Sequence, residues 1–265
     1  MNSELSVLIS ALIPIVEKAG RAIATVRSDR SWSVQNKSDD SPFTQADLAA
    51  NKIIVEGIAA ISDDPIVSEE SVFPKMKGNR FWLVDPLDGT RDFIAGEETF
   101  VICVALIEDS KPILGIIHAP ISKETWHASV GEGAFNSKGR IRHSHPKRPL
   151  KAVGSRSMPS DRMKLLYEMF GIETVDRFGS ALKFCKIAQG DYDVYPRFGP
   201  TSEWDTAAGQ VICEEAGCLV VSLKTGQALN YGKSDFRNEG FIVIRGDANV
   251  PDLLSRLRSK NLLPS

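Results

Sequence analysis

The sequence predicts an α/β fold, and three observations carry the prediction. The chain opens on a stretch with helical apolar spacing. Apolar, β-branched runs follow one another between residues 99 and 135, and strand-like and helix-like segments alternate from residue 150 onward. Short apolar runs separated by turns suit antiparallel strands, and alternation of strands with helices suits α/β layering.

Leu5, Leu8, Leu12, Ile15, Ala19 and Ile23 fall near helical spacing, so residues 2–28 read as one amphipathic helix. Glu4 rather than lysines precedes its apolar run, and no small-residue cleavage site follows, so a signal peptide is not expected. The polar "QNKSDDSPFTQAD" leads into a second helix, with Ser41 or Thr44 as its cap and Pro42 in its first turn. "PIVSEE" is a short strand that ends in Glu69 and Glu70. Residues 80–85 are a buried strand. "TFVICVALIED", "KPILGIIHAP" and "ETWHASVGEGAF" predict three antiparallel strands. The basic "NSKGRIRHSHPKRPLK" reads as a loop or junction, which divides the chain into 1–143 and 144–265. In the second part "KAVGS", "IETVDRFG", "YDVYP", "CLVVS" and "GFIVIRG" alternate with helical stretches, of which "SALKFCKIAQG" and "EWDTAAGQVICEEAG" matter most below.

Composition narrows the function. A chain of 265 residues can bury a sizeable core, and a net charge of -2 excludes a whole-molecule electrostatic nucleic-acid binder. No apolar run reaches the length of a membrane span. Cys103, Cys185, Cys213 and Cys218 form no C-x-x-C pair and sit in apolar surroundings, as free thiols in a reducing compartment do. Trp32, Trp82, Trp126 and Trp204 are expected as core or pocket walls, and His143 and His145 as parts of a solvated basic loop.

The carboxylates carry the chemistry. Glu69 and Glu70 end one strand, Asp85 and Asp88 end the next, Asp205 opens a helix, and Asp47 lies early in another. Acids gathered at neighbouring element ends repel one another, and a bound divalent cation relieves that repulsion. Hard oxygen donors without His or Cys favour Mg²⁺ over zinc. In "DPLDGT", Pro86 fixes φ and turns the chain away from the strand, and the Leu87 carbonyl can face the same cation. Gly89 lets backbone approach a ligand, and the N–H groups from Thr90 to Phe93 open a helix, which suits an anion. Metal-binding acids beside such a helix end suit phosphoryl chemistry.

Four motifs in order strengthen that reading: "KSDDSPFTQAD" (37–47), "IVSEES" (66–71), "LVDPLDGTRDF" (83–93) and "EWDTAAG" (203–209). Together the sequence resembles the inositol monophosphatase-like, lithium-sensitive, Mg²⁺-dependent phosphatases over most of its length. Within them "GSALKFC" (179–185) and "YPRFGPTSEWD" (195–205) are most similar to the CysQ-type 3'(2'),5'-bisphosphate nucleotidases. The resemblance implies a layered αβαβα sandwich of the inositol monophosphatase and fructose-1,6-bisphosphatase type. It implies hydrolysis of the 3'-phosphate of 3'-phosphoadenosine 5'-phosphate, with the phosphosulfate as a further substrate, in sulfate assimilation. Inositol monophosphate and fructose bisphosphate are the alternative substrates.

The same resemblance assigns residues. Glu69, Asp85, Asp88, Asp205 and the Leu87 carbonyl would hold two or three Mg²⁺ ions. Asp47 and Thr90 would orient and deprotonate the attacking water, and Gly89 and Thr90 would hold the reacting phosphate. Ser155, Arg156, Gly179, Lys183 and Arg197 would line the nucleotide pocket, with the three basic residues facing the extra phosphate. Glu70 would support the metal ligands. Cys103 stands where close relatives often carry asparagine, mid-strand and near the metals. The implied partner is a small nucleotide, with no nucleic acid and no transmembrane segment. A cytoplasmic protein is expected, as a monomer or homodimer, with room for peripheral contact at the inner face of the membrane.

Overall fold

Two side-chain periods, about 3.6 residues in a helix and 2 in a strand, build the layers. The computed structural model describes residues 3–29, 32–36, 42–71, 78–142, 149–156, 161–246 and 250–259. The chain begins with α1 (Ser3–Asp29), β1 (Val34–Asn36), β2 (Pro42–Thr44), α2 (Gln45–Ala59), β3 (Ile66–Ser68), β4 (Arg80–Asp88) and the short α3 (Thr90–Ile94). A meander follows: β5 (Val101–Glu108), β6 (Lys111–Ala119), β7 (Glu124–Ser129), β8 (Gly133–Asn136) and β9 (Gly139–Arg140). Then come β10 (Leu150–Gly154), α4 (Asp161–Phe170), β11 (Ile172–Arg177), α5 (Leu182–Ala188), β12 (Val194–Arg197) and β13 (Thr201–Ser202). The last elements are α6 (Ala207–Glu215), β14 (Cys218–Ser222), β15 (Arg237–Asn238), β16 (Phe241–Arg245) and α7 (Val250–Ser259).

The architecture is the αβαβα sandwich. A seven-stranded sheet runs β3-β4-β5-β6-β7-β8-β9, parallel at β3/β4 and antiparallel elsewhere. Helices α1 and α2 cover one face, and α5 and α6 lie on the other. The same α5 and α6 face a five-stranded sheet, β11-β10-β12-β16-β14, whose far side is covered by α4 and α7. In β4, Trp82 and Val84 pack under α1 and α2, whereas Phe81 and Leu83 point into the core shared with α5 and α6. Asp85 continues the second set and so falls on the interior side of the sheet. Its Cα partner in β5 is Cys103, the mid-strand position expected. Leu5, Leu8, Leu12, Ala19 and Ile23 of α1 are buried as their spacing requires, and all four cysteines are buried free thiols. No helix among the described residues is long and apolar enough to cross a membrane.

Several expectations need correction. Pro42 is not in a helix; it pairs with Asn36 in a two-stranded ribbon, and that pairing keeps the chain extended up to Thr44. Thr44 is the cap, with φ -136 and ψ 173, and Ser41 lies outside the described residues. The strand of residues 80–85 continues to Asp88. Pro86, lacking an N–H, interrupts the ladder as an irregularity between Asp85 and Asp88, and the turn comes at Gly89. Residues 124–136 form two strands rather than one, because Gly131 takes positive φ between them and Gly133 takes positive φ at the start of the second. Asp205 precedes α6 instead of opening it. Of the basic segment, 139–140 forms β9, and His143 and His145 lie outside the described residues.

Candidate active site

One end of β4 positions most of the acids. Asp85, 2% exposed, accepts the Leu87 N–H at 3.0 Å, so the irregularity at Pro86 is folded back on the carboxylate itself. Parallel pairing of β3 with β4 brings Glu69, just past β3, alongside. Asp205 arrives from the second half in the turn before α6, held by the Ser202 N–H at 3.1 Å. Carboxylate oxygens of Glu69, Asp85 and Asp205 all lie within 4.8 Å of one another. Asp88 faces the Gly179–Ala181 turn and accepts the Ala181 N–H.

Crowding and burial act together on these acids. Burial and the neighbouring Glu69, Asp88 and Asp205 push Asp85 well above the ordinary carboxylate range. Burial, then Asp88 and Glu69, does the same to Asp205. Asp88 is raised to about 6, chiefly by burial and against the pull of Lys183 and the Ala181 N–H. An all-oxygen set whose charges repel one another this strongly fits a hard divalent cation.

A second group sits beside them. Asp47 is the third residue of α2, and its Oδ2 accepts both the Thr44 N–H and the Thr44 hydroxyl at 2.8 Å. That capping box turns Oδ1 toward Thr90, whose Oγ1 lies 3.2 Å away and also 3.1 Å from the Leu87 carbonyl. Burial raises the Asp47 pKa, and the Thr44 hydrogen bonds oppose the rise. Gly89 caps α3 at φ 96, and a Cβ there would stand 3.2 Å from both Phe100 and Ser180, so the turn needs glycine.

Glu69, Asp85, Asp88, Gly89, Thr90 and Asp205 open into a cavity of about 690 Å³ lined also by Ser155, Arg156, Gly179, Lys183 and Arg197. The predicted cations are held differently. Lys183 is 3% exposed, donates to the carbonyls of Phe178 and Ser180, and stands 5.2 Å over the Tyr195 ring. Burial lowers its pKa to about 8, although Asp88 supports the charge. Arg156 pairs with Glu97 at 3.1 Å and Asp92 at 3.6 Å. Arg197 meets only neutral oxygens, Ser155 Oγ at 3.0 Å and Pro200 O at 3.3 Å, and its buried Nε has no acceptor among the described residues. Glu70 is half-buried in the turn after β3 and is not on the cavity lining.

Sequence reasoning missed Asp92 and Ser180. Asp92 accepts the Gly179 N–H at 2.9 Å and Thr99 Oγ1, which ties α3 to the pocket turn. Its position four residues after Asp88 was a legible signal. Ser180 adopts φ 60 and donates to the Thr99 carbonyl, a conformation nothing in "GSALK" announces.

The whole arrangement matches a known family: the model of the inositol monophosphatase family aligns with residues 4–259. The chain belongs to the inositol monophosphatase family. Among that family's curated members, 3'(2'),5'-bisphosphate nucleotidase CysQ of Salmonella typhimurium is 38% identical over 245 residues, covering 89% of this chain and 99% of that one. The Escherichia coli K12 protein of the same name is 36% identical over the same shares. Solved structures of the family include CysQ from Bacteroides thetaiotaomicron, at 32% identity and TM-score 0.77, covering 90% of this chain and 97% of that chain. Thermotoga maritima IMPase follows at 28% and 0.79, covering 95% and 96%.

Proposed function

We propose that the chain is a Mg²⁺-dependent 3'(2'),5'-bisphosphate nucleotidase. Its substrate is 3'-phosphoadenosine 5'-phosphate, converted to AMP and phosphate, with the 5'-phosphosulfate as a second substrate. The observation that carries this reading is one cavity in which crowded carboxylates at one end adjoin Ser155, Lys183 and Arg197. The named relatives at 36–38% identity support the same activity.

Glu69, Asp85, Asp88, Asp205 and the Leu87 carbonyl would hold two or three Mg²⁺ ions. Such ions neutralise phosphate charge and acidify water. The chain's own residues do the rest. Thr90 gives its single hydrogen to Asp47 Oδ1 or to the Leu87 carbonyl, leaving its oxygen lone pairs to orient water. Asp47, whose raised pKa makes it a better base than an exposed aspartate, takes the water proton as oxygen attacks phosphorus in line; the bond from phosphorus to the 3' oxygen breaks on the opposite side, and that oxygen takes up a proton from water to leave as the ribose hydroxyl. Gly89 and Thr90 offer backbone N–H groups to the phosphate. Lys183 holds the Gly179–Ala181 turn that Asp88 leans on, and Arg197 meets the second phosphate.

Under this reading the two parts, 1–143 and 144–265, divide the work: the first supplies Asp47, Glu69, Asp85 and Asp88, and the second supplies Asp205 and the nucleotide contacts. Buried free thiols favour a reducing compartment, and a cytoplasmic placement follows.

The test is phosphate release from the bisphosphate nucleotide and from inositol monophosphate, with and without Mg²⁺. The nucleotidase reading expects Mg²⁺-dependent release with the nucleotide preferred by kcat/KM. Preference for inositol monophosphate would replace it with the inositol monophosphatase reading, in line with the Thermotoga maritima IMPase neighbour. Binding without release would leave only a sensor.

A further inference from the structure

The proposed reading asks for cations around a second phosphate, and two of the three expected from sequence are already engaged. Arg156 is paired with Glu97 and Asp92, and Lys183 is buried against carbonyls beside Asp88. Two more arginines line the cavity, Arg91 and Arg237. Arg237 lies in β15, is exposed, and has no acceptor against its guanidinium among the described residues.

Its place is fixed by a two-stranded ribbon. β13 pairs with β15 antiparallel, Ser202 opposite Arg237 and Thr201 opposite Asn238. Residues directly opposite share a face, with Cβ atoms about 4.5–5.5 Å apart. Arg237 therefore stands over Ser202, whose N–H holds Asp205 at 3.1 Å. Two residues earlier, Pro200 accepts Arg197 Nη2 at 3.3 Å. The ribbon thus carries the anchor of a metal-binding acid and Arg237, and the residue just before it receives Arg197. It is rigid where it needs to be. Asn238 is 3% exposed and donates to Thr206 at 2.8 Å, and Phe236 packs on Trp204 with ring centroids 6.3 Å apart. Arg91 also lines the cavity, but it stands on α3 next to Thr90, at the end given to the reacting phosphate.

We propose that Arg237 is a specificity residue: with Arg197 it binds the non-reacting phosphate or sulfate of the nucleotide. This rests on the nucleotidase reading. Two guanidiniums lining one cavity suit a tetrahedral oxyanion, since each presents a planar fork of donors.

The experiment compares wild type with Arg237→Met and Arg237→Lys on two substrates, the 3',5'-bisphosphate and adenosine 3'-monophosphate, which lacks the second phosphate. Arg237→Met should lose about tenfold more kcat/KM on the bisphosphate than on the monophosphate, mostly through KM, as expected for one charge-assisted hydrogen bond. Arg237→Lys should recover part of the loss. Calorimetry with adenosine 5'-monophosphate, which carries only the second phosphate, should show weaker binding by a similar factor. Equal losses on both substrates, or none, overturn the proposal. If wild type releases no phosphate from either nucleotide, the nucleotidase reading fails by itself, and Arg237 is judged on the 5'-monophosphate: an unchanged Kd overturns it. Wild type that neither releases phosphate nor binds the 5'-monophosphate sinks both.

Discussion

The two ends of the cavity hold charge in opposite ways. At the β4 end, carboxylate oxygens of Glu69, Asp85 and Asp205 crowd within 4.8 Å of one another. At the far end Lys183 and Arg156 are each satisfied by carbonyls or acids, Arg237 stands on the β13–β15 ribbon, and Arg197 donates to the Pro200 carbonyl just before it. The first end stores repulsion, and the second is nearly relaxed. A group added to the first can therefore change stability and chemistry together, whereas changes at the second should act on substrate choice.

The largest expected effect lies at the crowded end. Asp85→Asn removes a charged ligand and should lower phosphate release by about 10³-fold or more, the scale of losing a group that acts only in the transition state. The same change should raise the melting temperature of metal-free protein, because it deletes a buried like charge. Wild-type activity in the variant would contradict the metal-site assignment. Next in size is Thr90→Ala, which should cost about 10²–10⁴ in kcat while Mg²⁺ binding, followed by calorimetry, persists. A parallel loss of Mg²⁺ affinity would make Thr90 a metal-site residue rather than a partner of Asp47.

The relaxed end predicts smaller, selective changes. Arg197→Met should cost about tenfold to a hundredfold on the bisphosphate nucleotide, and far less on inositol monophosphate. Lys183→Met should differ: it strips a buried donor from the Phe178 and Ser180 carbonyls and removes a positive charge from beside Asp88. Both substrates should then suffer, with a lower melting temperature. If Lys183→Met were as selective as Arg197→Met, the contrast between the ends would fail.

The smallest effect is a pH dependence of metal-free stability. Asp88 has a folded pKa raised to about 6 from the ordinary 3.8, so the folded state holds a proton that the unfolded state releases. That contribution is fully present below the unfolded pKa and lost as pH rises through about 6. With chelator present, the melting temperature should fall from pH 5 to pH 7.5, and Mg²⁺ should restore it at the upper end. A melting temperature that rises over that interval in chelator would show the acids are not repelling.

Much of this was legible in the chain, for local reasons. Thr44 and Asp47 form a capping box three residues apart, and α1 buries its apolar stripe. Asp85, Asp88, Gly89 and Thr90 sit within one turn of chain, so their proximity needs no long-range contact. What misled was also local. Pro86 read as a turn, but the ladder to β5 held the chain until Gly89. "ETWHASVGEGAF" read as one strand because apolar content does not reveal the positive φ of Gly131 and Gly133.

By itself the sequence determined the element types, the order of the motifs and the presence of acids at element ends, because those depend on periods and turn residues a few positions apart. Tertiary structure alone decided which charges are free. Whether Lys183 or Arg197 faces the cavity depends on carbonyls and acids brought from distant segments. Arg237 came into view only when a two-residue strand, too short to carry a period, paired with Ser202.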